Sequence, residues 1–217
     1  MFQVIPKTNI IKQLCSNRTF QSRNEGMLIQ MEQMDIAPTV VTYNVLIHGH
    51  CRAGALDKAL DLLQTMEKIG TVPDAYTYNI LINAHCKNGD LQRENGFLKD
   101  MLEKNLGPNN VTYSTLIDGF CKQGKLDKAI GLYEDMVKKC IRADPVTYTA
   151  LIDALCRVGR MEEAGGFVQK MREEGFVGDC ASYGALIGGY RGDGNLREAL
   201  KQHDEMVNNG ILPCVFT

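Results

Sequence analysis

Residues 111–145 read VTYSTLIDGFCKQGKLDKAIGLYEDMVKKCIRADP, and this stretch decides the fold. Its first half places four apolar side chains at the i, i+3, i+4, i+7 spacing of one helix face, and its second half repeats such a pattern. The two sets are Tyr113, Leu116, Ile117 and Phe120, then Leu126, Ala129, Ile130, Tyr133 and Met136. Gly124 lies between them, where a helix end favours a residue that tolerates positive φ. The stretch therefore predicts two short amphipathic helices joined by a tight turn.

The same pattern recurs along the chain every 35 residues. Its VTY-like opening begins at Val41, Tyr76, Val111, Val146 and Ala181. The turn glycine recurs as Gly54, Gly89, Gly124, Gly159 and Gly194, and a methionine recurs as Met66, Met101, Met136, Met171 and Met206. One helix pair cannot bury both of its apolar faces alone. Five copies in constant register therefore predict an all-α stack of repeats with a continuous core.

The register also predicts how the chain is divided. Counted from the residue before each VTY-like opening, the five units are 40–74, 75–109, 110–144, 145–179 and 180–214. We interpret residues 1–39 as a degenerate N-terminal repeat that caps the stack, because MEQMDIAPT at 31–39 aligns with MEKIGTVPD at 66–74. Residues 1–24 are also basic and free of acid, which is compatible with an organelle-targeting segment. Residues 215–217 resemble the start of a next repeat, as in a longer array or a truncated gene product.

Composition limits the ways in which the protein could bind a polyanion. The chain has 24 basic and 26 acidic residues, so it carries no excess of positive charge. A nucleic acid would therefore have to be held by local groups rather than by a general basic field. No apolar run approaches the roughly 18 residues that span a membrane, so we predict a soluble protein without a membrane partner.

Four of the eight cysteines share one place near the end of each first helix: Cys51, Cys86, Cys121 and Cys156. Small buried side chains of a stacked core have this periodicity. His50 and His85 each adjoin a cysteine, which would suit a metal site, but these histidines do not recur in later units and the chain has no C-x-x-C pair. We expect core side chains in a reducing compartment, with no metal and no cofactor.

The first helix of each unit has a second patterned face. Numbering residues within each unit, positions 4, 7, 8 and 11 form the core face, and positions 2, 5, 9 and 13 lie opposite, where we expect them to point outward. Position 2 is mostly apolar: Val41, Tyr76, Val111, Val146 and Ala181. Position 5 is polar in four units: Asn44, Asn79, Ser114 and Thr149, followed by Gly184. Position 13 is basic in four units: Arg52, Lys87, Lys122 and Arg157.

Such a face suits an unpaired RNA strand. An apolar residue can pack on a base, a cation can meet a phosphate, and a varying polar residue can contact a base edge. Purely structural interpretations remain open. A cation at a helix C-terminus interacts favourably with the helix dipole by about 0.3–1 kcal/mol. Position 35 precedes each following first helix, where Asp or Asn serves as an N-cap worth about 1 kcal/mol. These residues are Asp74, Asn109, Asp144 and Asp179.

The 35-residue period, the VTYN-like opening, the turn glycine and the M-x-x-x-G-x-x-P-D ending closely resemble the pentatricopeptide repeat (PPR) family. The plain P-type repeat of plant fertility-restorer-like members is the nearest match, and the resemblance covers residues 40–214. The ending departs from the pattern at Ala143 and Gly178, which replace its proline. The related tetratricopeptide family has a period of 34 residues and a tryptophan signature, and this chain has no tryptophan.

The resemblance implies a right-handed α-solenoid superhelix that binds single-stranded RNA in mitochondria or plastids, one nucleotide per repeat. It implies roles in RNA processing, stability or translation, alongside other proteins of an RNA-processing complex. Positions 5 and 35 would select each base, position 2 side chains would sandwich it, and the RNA would run 5′ to 3′ from the N-terminal to the C-terminal repeat. The implied bases are uridine for Asn44 with Asp74, cytidine or uridine for Asn79 with Asn109, and guanosine for both Ser114 with Asp144 and Thr149 with Asp179. Gly184 with Cys214 fits no pairing.

Two other classes of function are compatible with a helical-repeat chain. A protein-binding α-solenoid scaffold could use the same face for a peptide, although a peptide groove gives no reason for Asn, Ser or Thr at position 5 beside Asp or Asn at position 35. Some PPR relatives carry an added nuclease or deaminase domain. This sequence has no H-x-E…C-x-x-C deaminase signature and no carboxylate cluster outside the repeats, so we nominate no catalytic residue and predict that the chain is not an enzyme.

Overall fold

The computed structural model describes residues 27–212, apart from residues 29, 32 and 90, and gives only the backbone for residues 91–95. Most of the predicted N-terminal cap at 1–39 and all of residues 215–217 lie outside the described residues. The chain folds into two compact units, Met1–Pro108 and Asn109–Thr217.

Ten α-helices occur between residues 40 and 208, two in each predicted repeat, and the described residues contain no strand. Those of the first compact unit are α1 (Val40–Arg52), α2 (Leu56–Lys68), α3 (Ala75–Asn88) and α4 (Leu91–Glu103). Those of the second are α5 (Asn110–Lys122), α6 (Leu126–Lys138), α7 (Pro145–Arg157), α8 (Met161–Glu173), α9 (Cys180–Gly192) and α10 (Leu196–Asn208). The prediction of an all-α chain built from helix pairs is confirmed.

The turn glycines adopt the conformation that the sequence predicts. The residue between the two helices of each pair has φ near +75°, namely Gly54 at +74°, Gly89 at +78°, Gly124 at +71°, Gly159 at +76° and Gly194 at +73°. A side chain at such a position would strain the backbone, so glycine is the residue that lets the second helix turn back at once onto the first.

The predicted core faces are also confirmed. Tyr113, Leu116, Ile117 and Phe120 are buried in the second compact unit. The five recurrent methionines of the second helices are buried as well: Met66, Met101, Met136, Met171 and Met206. Each first helix packs against its own second helix. Within a compact unit it also packs against neighbouring first helices, as α1 does with α3 and α7 does with α5 and α9. This side-by-side packing brings position 5 of one repeat to the start of the next.

A buried tyrosine at position 4 ties the two helices of a pair together. The Tyr113 hydroxyl donates to Asp135 Oδ2 at 2.5 Å and accepts from Lys139 Nζ at 2.8 Å. Burial and the bond to Asp135 raise the pKa of Tyr113, so the phenol stays protonated. Tyr43 occupies the same position in the first repeat, and its hydroxyl forms no side-chain hydrogen bond with the described residues. The place of Lys139 is taken there by Ile69.

This difference predicts unequal effects of removing the hydroxyl. Tyr113→Phe should lower the free energy of unfolding by about 1–2 kcal/mol, because it removes two hydrogen bonds to charged partners that remain partly hydrated. Tyr43→Phe is the matched control and should change it by less than about 0.5 kcal/mol. Urea denaturation followed by circular dichroism measures both. Equal losses in the two variants would contradict a specific role for the Tyr113 hydroxyl.

Candidate nucleic-acid interface

Positions 5 and 35 of the first repeat meet in a small hydrogen-bonded cluster. Asn44 lies in α1, and its Nδ2 donates to Asp74 Oδ1 at 3.2 Å. Thr77, from the first turn of α3, completes the cluster, with its hydroxyl 2.6 Å from Asn44 Oδ1 and 2.9 Å from Asp74 Oδ1. The hydroxyl has one proton to donate, so the two acceptors share it. The structure therefore brings together the two residues that the sequence singled out as one base-selecting pair.

The third repeat builds the same cluster with a serine. The Ser114 hydroxyl lies 2.7 Å from the Thr147 hydroxyl and 2.8 Å from Asn110 Oδ1. Its distances to the two carboxylate oxygens of Asp144 are longer, at 3.3 and 3.4 Å. Thr147 donates in turn to Asp144 Oδ1 at 2.7 Å. Ser114 and Asp144 are thus neighbours, coupled mainly through Thr147.

Position 35 is also the N-cap of the next first helix, as the structural interpretation of the sequence required. Each of these side chains has Oδ1 2.8–3.0 Å from a backbone N–H three residues ahead, and the caps are Asp74 on α3, Asn109 on α5, Asp144 on α7 and Asp179 on α9. The cap fixes the side-chain rotamer, because moving it would leave a buried amide without an acceptor. A base-selecting role and a capping role therefore coexist in one residue.

The cap leaves part of the Asp74 and Asp179 carboxylates available to a ligand. The hydrogen bonds that the Asp74 side chain makes with the described residues all fall on Oδ1, and so do those of Asp179. Oδ2 of each remains an acceptor that is held at a fixed place by the bonds to its partner oxygen. A fixed acceptor beside a polar side chain is the arrangement that can distinguish the hydrogen-bonding edges of bases.

The prediction that position 5 faces outward is wrong for two of the four residues. Asn44 is 5% exposed and Ser114 is 8% exposed, whereas Asn79 and Thr149 are partly buried. A projection of one helix cannot show the neighbouring helix, and in the structure α1 lies against α3 and α5 lies against α7. The buried side chains of Asn44 and Ser114 nevertheless form hydrogen bonds with polar neighbours.

The fourth repeat does not form the same contact. Thr149 Oγ1 is buried without a hydrogen-bond partner among the described residues. Asp179 is exposed and engages Ser182, whose backbone N–H and hydroxyl lie 2.8 and 2.9 Å from its Oδ1. The pair predicted from the sequence is therefore not linked by a hydrogen bond in this repeat.

Asn79 and Asn109 fall in different compact units, so each is placed within its own unit. Asn79 lies in α3 and is partly buried. Asn109 is exposed and caps α5, and the Thr112 hydroxyl donates to its Oδ1 at 3.1 Å. The base-selecting role of this pair stays a prediction.

The predicted stacking residues are all on the surface. Val41, Tyr76, Val111 and Val146 are each more than half exposed, and Ala181 is exposed as well. Surface valines at the same point of successive helices are free to contact a ligand, as the sequence predicts. Their role in stacking stays a prediction.

The four predicted backbone-binding cations lie at the surface but differ in their surroundings. Lys122 pairs with Asp118 at 2.6 Å, and Arg157 pairs with Asp153 at 3.0 Å, each with the carboxylate four residues earlier on the same helix. Arg52 and Lys87 have no such carboxylate, because position 9 holds His48 and Asn83 in their repeats. The four cations that the sequence aligned at position 13 therefore differ in whether a carboxylate of the same helix neutralises them.

The recurrent cysteines behave as the core interpretation expects. Cys121 and Cys156 are buried, and Cys51 and Cys86 are partly buried. Burial raises the pKa of Cys51 to about 11 and the pKa values of Cys121 and Cys156 to about 12, so these thiols are protonated near neutrality. The described residues contain no group of His, Cys, Asp or Glu side chains placed to hold a metal ion. None of their helices has the length and apolarity needed to cross a lipid bilayer.

The sequence interpretation missed one part of the clusters, the hydroxyl at position 3. Thr77 and Thr147 contact both members of their position 5 and 35 pairs. The signal was present in the sequence, since every repeat has a buried hydroxyl residue there: Thr42, Thr77, Thr112, Thr147 and Ser182. A position that is always hydroxyl-bearing indicates a shared hydrogen bond rather than a place on the core face.

The contrast between Ser114 and Thr149 predicts opposite effects on stability. Ser114→Ala should lower the free energy of unfolding by about 1 kcal/mol, because it removes hydrogen bonds from a buried cluster. Thr149→Val keeps the side-chain shape and removes a buried hydroxyl that has no partner among the described residues, so stability should be unchanged or rise by up to about 1 kcal/mol. Thermal and urea unfolding of the two variants test this. A larger loss in Thr149→Val than in Ser114→Ala would contradict the assigned contacts.

Comparison with known structures agrees with this architecture. The maize pentatricopeptide repeat protein PPR10 is similar over 94% of this chain and 30% of its own, with 23% identity and a TM-score of 0.74. PPR10 in complex with an 18-nt psaJ RNA element gives 24% identity and a TM-score of 0.67. The PPR domain of Arabidopsis thaliana protein-only RNase P 1, in complex with tRNA, is similar over 86% of this chain and all of that domain, with 17% identity and a TM-score of 0.69. The chain thus has a helical-repeat solenoid fold and spans about a third of PPR10.

Sequence comparison identifies the family. No curated protein sequence matches the chain. A model of the PPR repeat family matches residues 38–87, 77–122, 108–157 and 143–191, and a model of the PPR repeat matches residues 181–211. Because these matches run through all five predicted repeats, the protein belongs to the PPR repeat family.

Proposed function

We propose that the chain binds single-stranded RNA, with one repeat facing one nucleotide. The observation that carries this proposal is the contact of positions 5 and 35 in the Asn44–Asp74 and Ser114–Asp144 pairs. Each pair combines a polar side chain with a carboxylate that is held in place by its capping bond. The exposed Val41 precedes Asn44 by three residues, so the two share one face of α1.

Each part of this arrangement has a distinct role in the proposal. An exposed apolar side chain at position 2 packs on a base face, as it can for any base. The pair at positions 5 and 35 then contacts the base edge, where donors and acceptors differ between bases. Two solved structures with the same fold are complexes with RNA, one with an 18-nt psaJ element and one with tRNA. This supports RNA as the ligand class.

The base preferences follow the resemblance stated above. Asn44 with Asp74 selects uridine, Asn79 with Asn109 selects cytidine or uridine, and Ser114 with Asp144 and Thr149 with Asp179 select guanosine. Read from the N-terminal repeat onward, the proposed site is U-(C/U)-G-G. The P-type subclass belongs to the same proposal.

The expected affinity is modest. Stacking contributes about 1–3 kcal/mol per base, while association costs roughly 4–15 kcal/mol in lost freedom. Four or five nucleotides leave a small surplus. We therefore propose that the chain acts with further repeats or with protein partners of an RNA-processing complex. Its setting would be a mitochondrion or plastid, and its effect on RNA processing, stability or translation would come from binding rather than from catalysis.

Binding to short RNA oligonucleotides tests the proposal. An unstructured RNA that contains UCGG should bind at least about tenfold more tightly than a scrambled RNA of the same composition, a difference of about 1.4 kcal/mol. Fluorescence anisotropy at low salt measures both. Equal affinity for the two RNAs would contradict sequence-specific binding, and no binding to either would favour the alternative of a protein-binding scaffold.

A single substitution tests the selection of the third base. Ser114→Asn should shift the preference at that base from guanosine towards uridine, because it makes the third repeat resemble the first. Thr115→Asn is the control, since it adds the same side chain one position further along α5. A binding selection over the four third-base variants gives the preference directly. An unchanged preference in Ser114→Asn would remove the base-selecting role from position 5.

A further inference from the structure

The position 13 cations fall into two classes. Lys122 and Arg157 are paired with Asp118 and Asp153 of their own helices. Arg52 and Lys87 form no ion pair with the described residues, and the residues four positions earlier are His48 and Asn83. An ion-paired cation must lose its carboxylate or share it before it meets a phosphate. An unpaired cation meets a phosphate without that cost, so the two classes differ in their capacity to bind an anion.

The cations of the second class line one groove. It lies between α1 and α3, has a volume of about 340 Å³, and brings together His48, Arg52, Asn83, Lys87 and Asn88. No carboxylate is among the described residues that line it. Two permanent cations, an imidazole and two side-chain amides make a set of hydrogen-bond donors suited to phosphate oxygens. The groove lies wholly within the first compact unit.

The second compact unit contains an equivalent groove between two of its first helices, and the charge of its lining residues is opposite in sign. It lies between α7 and α9, has a volume of about 430 Å³, and is lined by Arg157 together with Asp153 and Asp193. Gly192 occupies the place where the first groove has Lys87, and Asp193 the place of Asn88. One cation faces two carboxylates here, whereas the two cations of the first groove face none among its described lining residues. The repeat architecture thus supplies two similar cavities, and of these two the first suits an anion.

His48 makes the first groove sensitive to pH. Partial burial, followed by the positive charges of Arg52 on its own helix and Lys87 on α3, lowers the pKa of His48. None of the described lining residues comes from α2, the other helix that packs against α1. An anion placed among the three groups would offset the repulsion and favour the protonated imidazole. Anion binding and protonation of His48 are therefore mutually reinforcing.

We propose that the groove between α1 and α3 is a phosphate-binding site in which Arg52 and Lys87 hold a phosphodiester of the bound strand and His48 takes up a proton as that phosphate enters. This inference rests on the proposed binding of single-stranded RNA and adds where the strand is held by charge. The backbone of the strand is then held chiefly at the first two repeats. The later repeats contribute base contacts with little help from their cations.

Two double variants test whether Arg52 and Lys87 bind phosphate more strongly than Lys122 and Arg157 do. Arg52→Gln with Lys87→Gln should reduce the slope of log K against log salt for RNA binding by about 0.7, since the site neutralises one phosphate and each phosphate neutralised on a single strand contributes about 0.7. Lys122→Gln with Arg157→Gln removes the same formal charge and should change the slope by less than about half that amount. Equal reductions in the two variants, or a larger one in the control, would overturn the proposal.

The pH dependence of binding tests the part played by His48. The wild-type chain should bind RNA several-fold more tightly at about pH 6 than at about pH 8, with the gain levelling off below the lowered pKa of the free histidine. His48→Asn, which copies the Asn83 of the next repeat, should keep the affinity at the higher pH and lose the gain. His203→Asn, at a histidine on α10, should retain it. A gain that survives in His48→Asn would overturn the proton linkage.

A ligand without bases separates this inference from the proposed function. A five-residue abasic phosphodiester oligomer, monitored by NMR of the histidine ring protons, should raise the pKa of His48 and leave the ring-proton chemical shifts of His203 unchanged. If UCGG-containing RNA fails to bind specifically but the oligomer still raises the pKa of His48, the phosphate site stands and the proposed function fails. If RNA binds specifically but the oligomer leaves the pKa of His48 unchanged, the phosphate site fails alone.

Discussion

The constraint on which the structure depends is that α3, α7 and α9 each begin against the side of the preceding first helix in the same compact unit. The start of an α-helix leaves backbone N–H groups without intrahelical partners, and here these groups face a packed neighbour rather than bulk water. Asp74 and Asp144 satisfy them through one carboxylate oxygen. Because α1 lies against α3 and α5 against α7, the same contact collects Asn44 or Ser114 into the cluster. The residues that cap the helices thus also form hydrogen bonds with the position 5 side chains of the candidate interface.

This coupling ties the choice of residue to stability. Position 35 needs a side-chain oxygen for the cap, which is worth about 1 kcal/mol, and it holds Asp or Asn in four repeats. Position 5 must be polar enough to bond to that cap yet small enough to lie between two helices. Asn44 meets both demands through its amide, and Ser114 meets them through Thr147. Thr149 meets only the second, since its hydroxyl is buried without a partner among the described residues. Ser114 and Thr149, which would both select guanosine, thus carry different costs in the fold.

The periodic features were predictable from the sequence, and the contacts between repeats were not. The turn at Gly124 and the core face of Tyr113, Leu116 and Ile117 follow from local conformation and helix period. The burial of Asn44 depends on a neighbouring helix that no single-helix projection contains. The Asp118–Lys122 pair has the i, i+4 spacing that a sequence shows directly. A comparison of position 13 alone between repeats does not reveal this pair, because it leaves out the residue at position 9 of the same helix.

The pairing of a position 13 cation with a position 9 carboxylate explains how a chain with almost balanced charge can still favour an anion at one place. With 24 basic and 26 acidic residues there is no general field to attract a polyanion. Screening at physiological salt confines each charge to about 8 Å, so the nearest neighbours decide what a cation can do. The first repeat has His48 rather than an aspartate at position 9, so Arg52 has no carboxylate partner four residues earlier on its helix. No described carboxylate lines the groove that Arg52 shares with Lys87. Where the aspartate is present, as at Asp153, the same cation is neutralised within its own helix. The pattern of position 9, more than the row of cations at position 13, therefore determines where negative charge can be held.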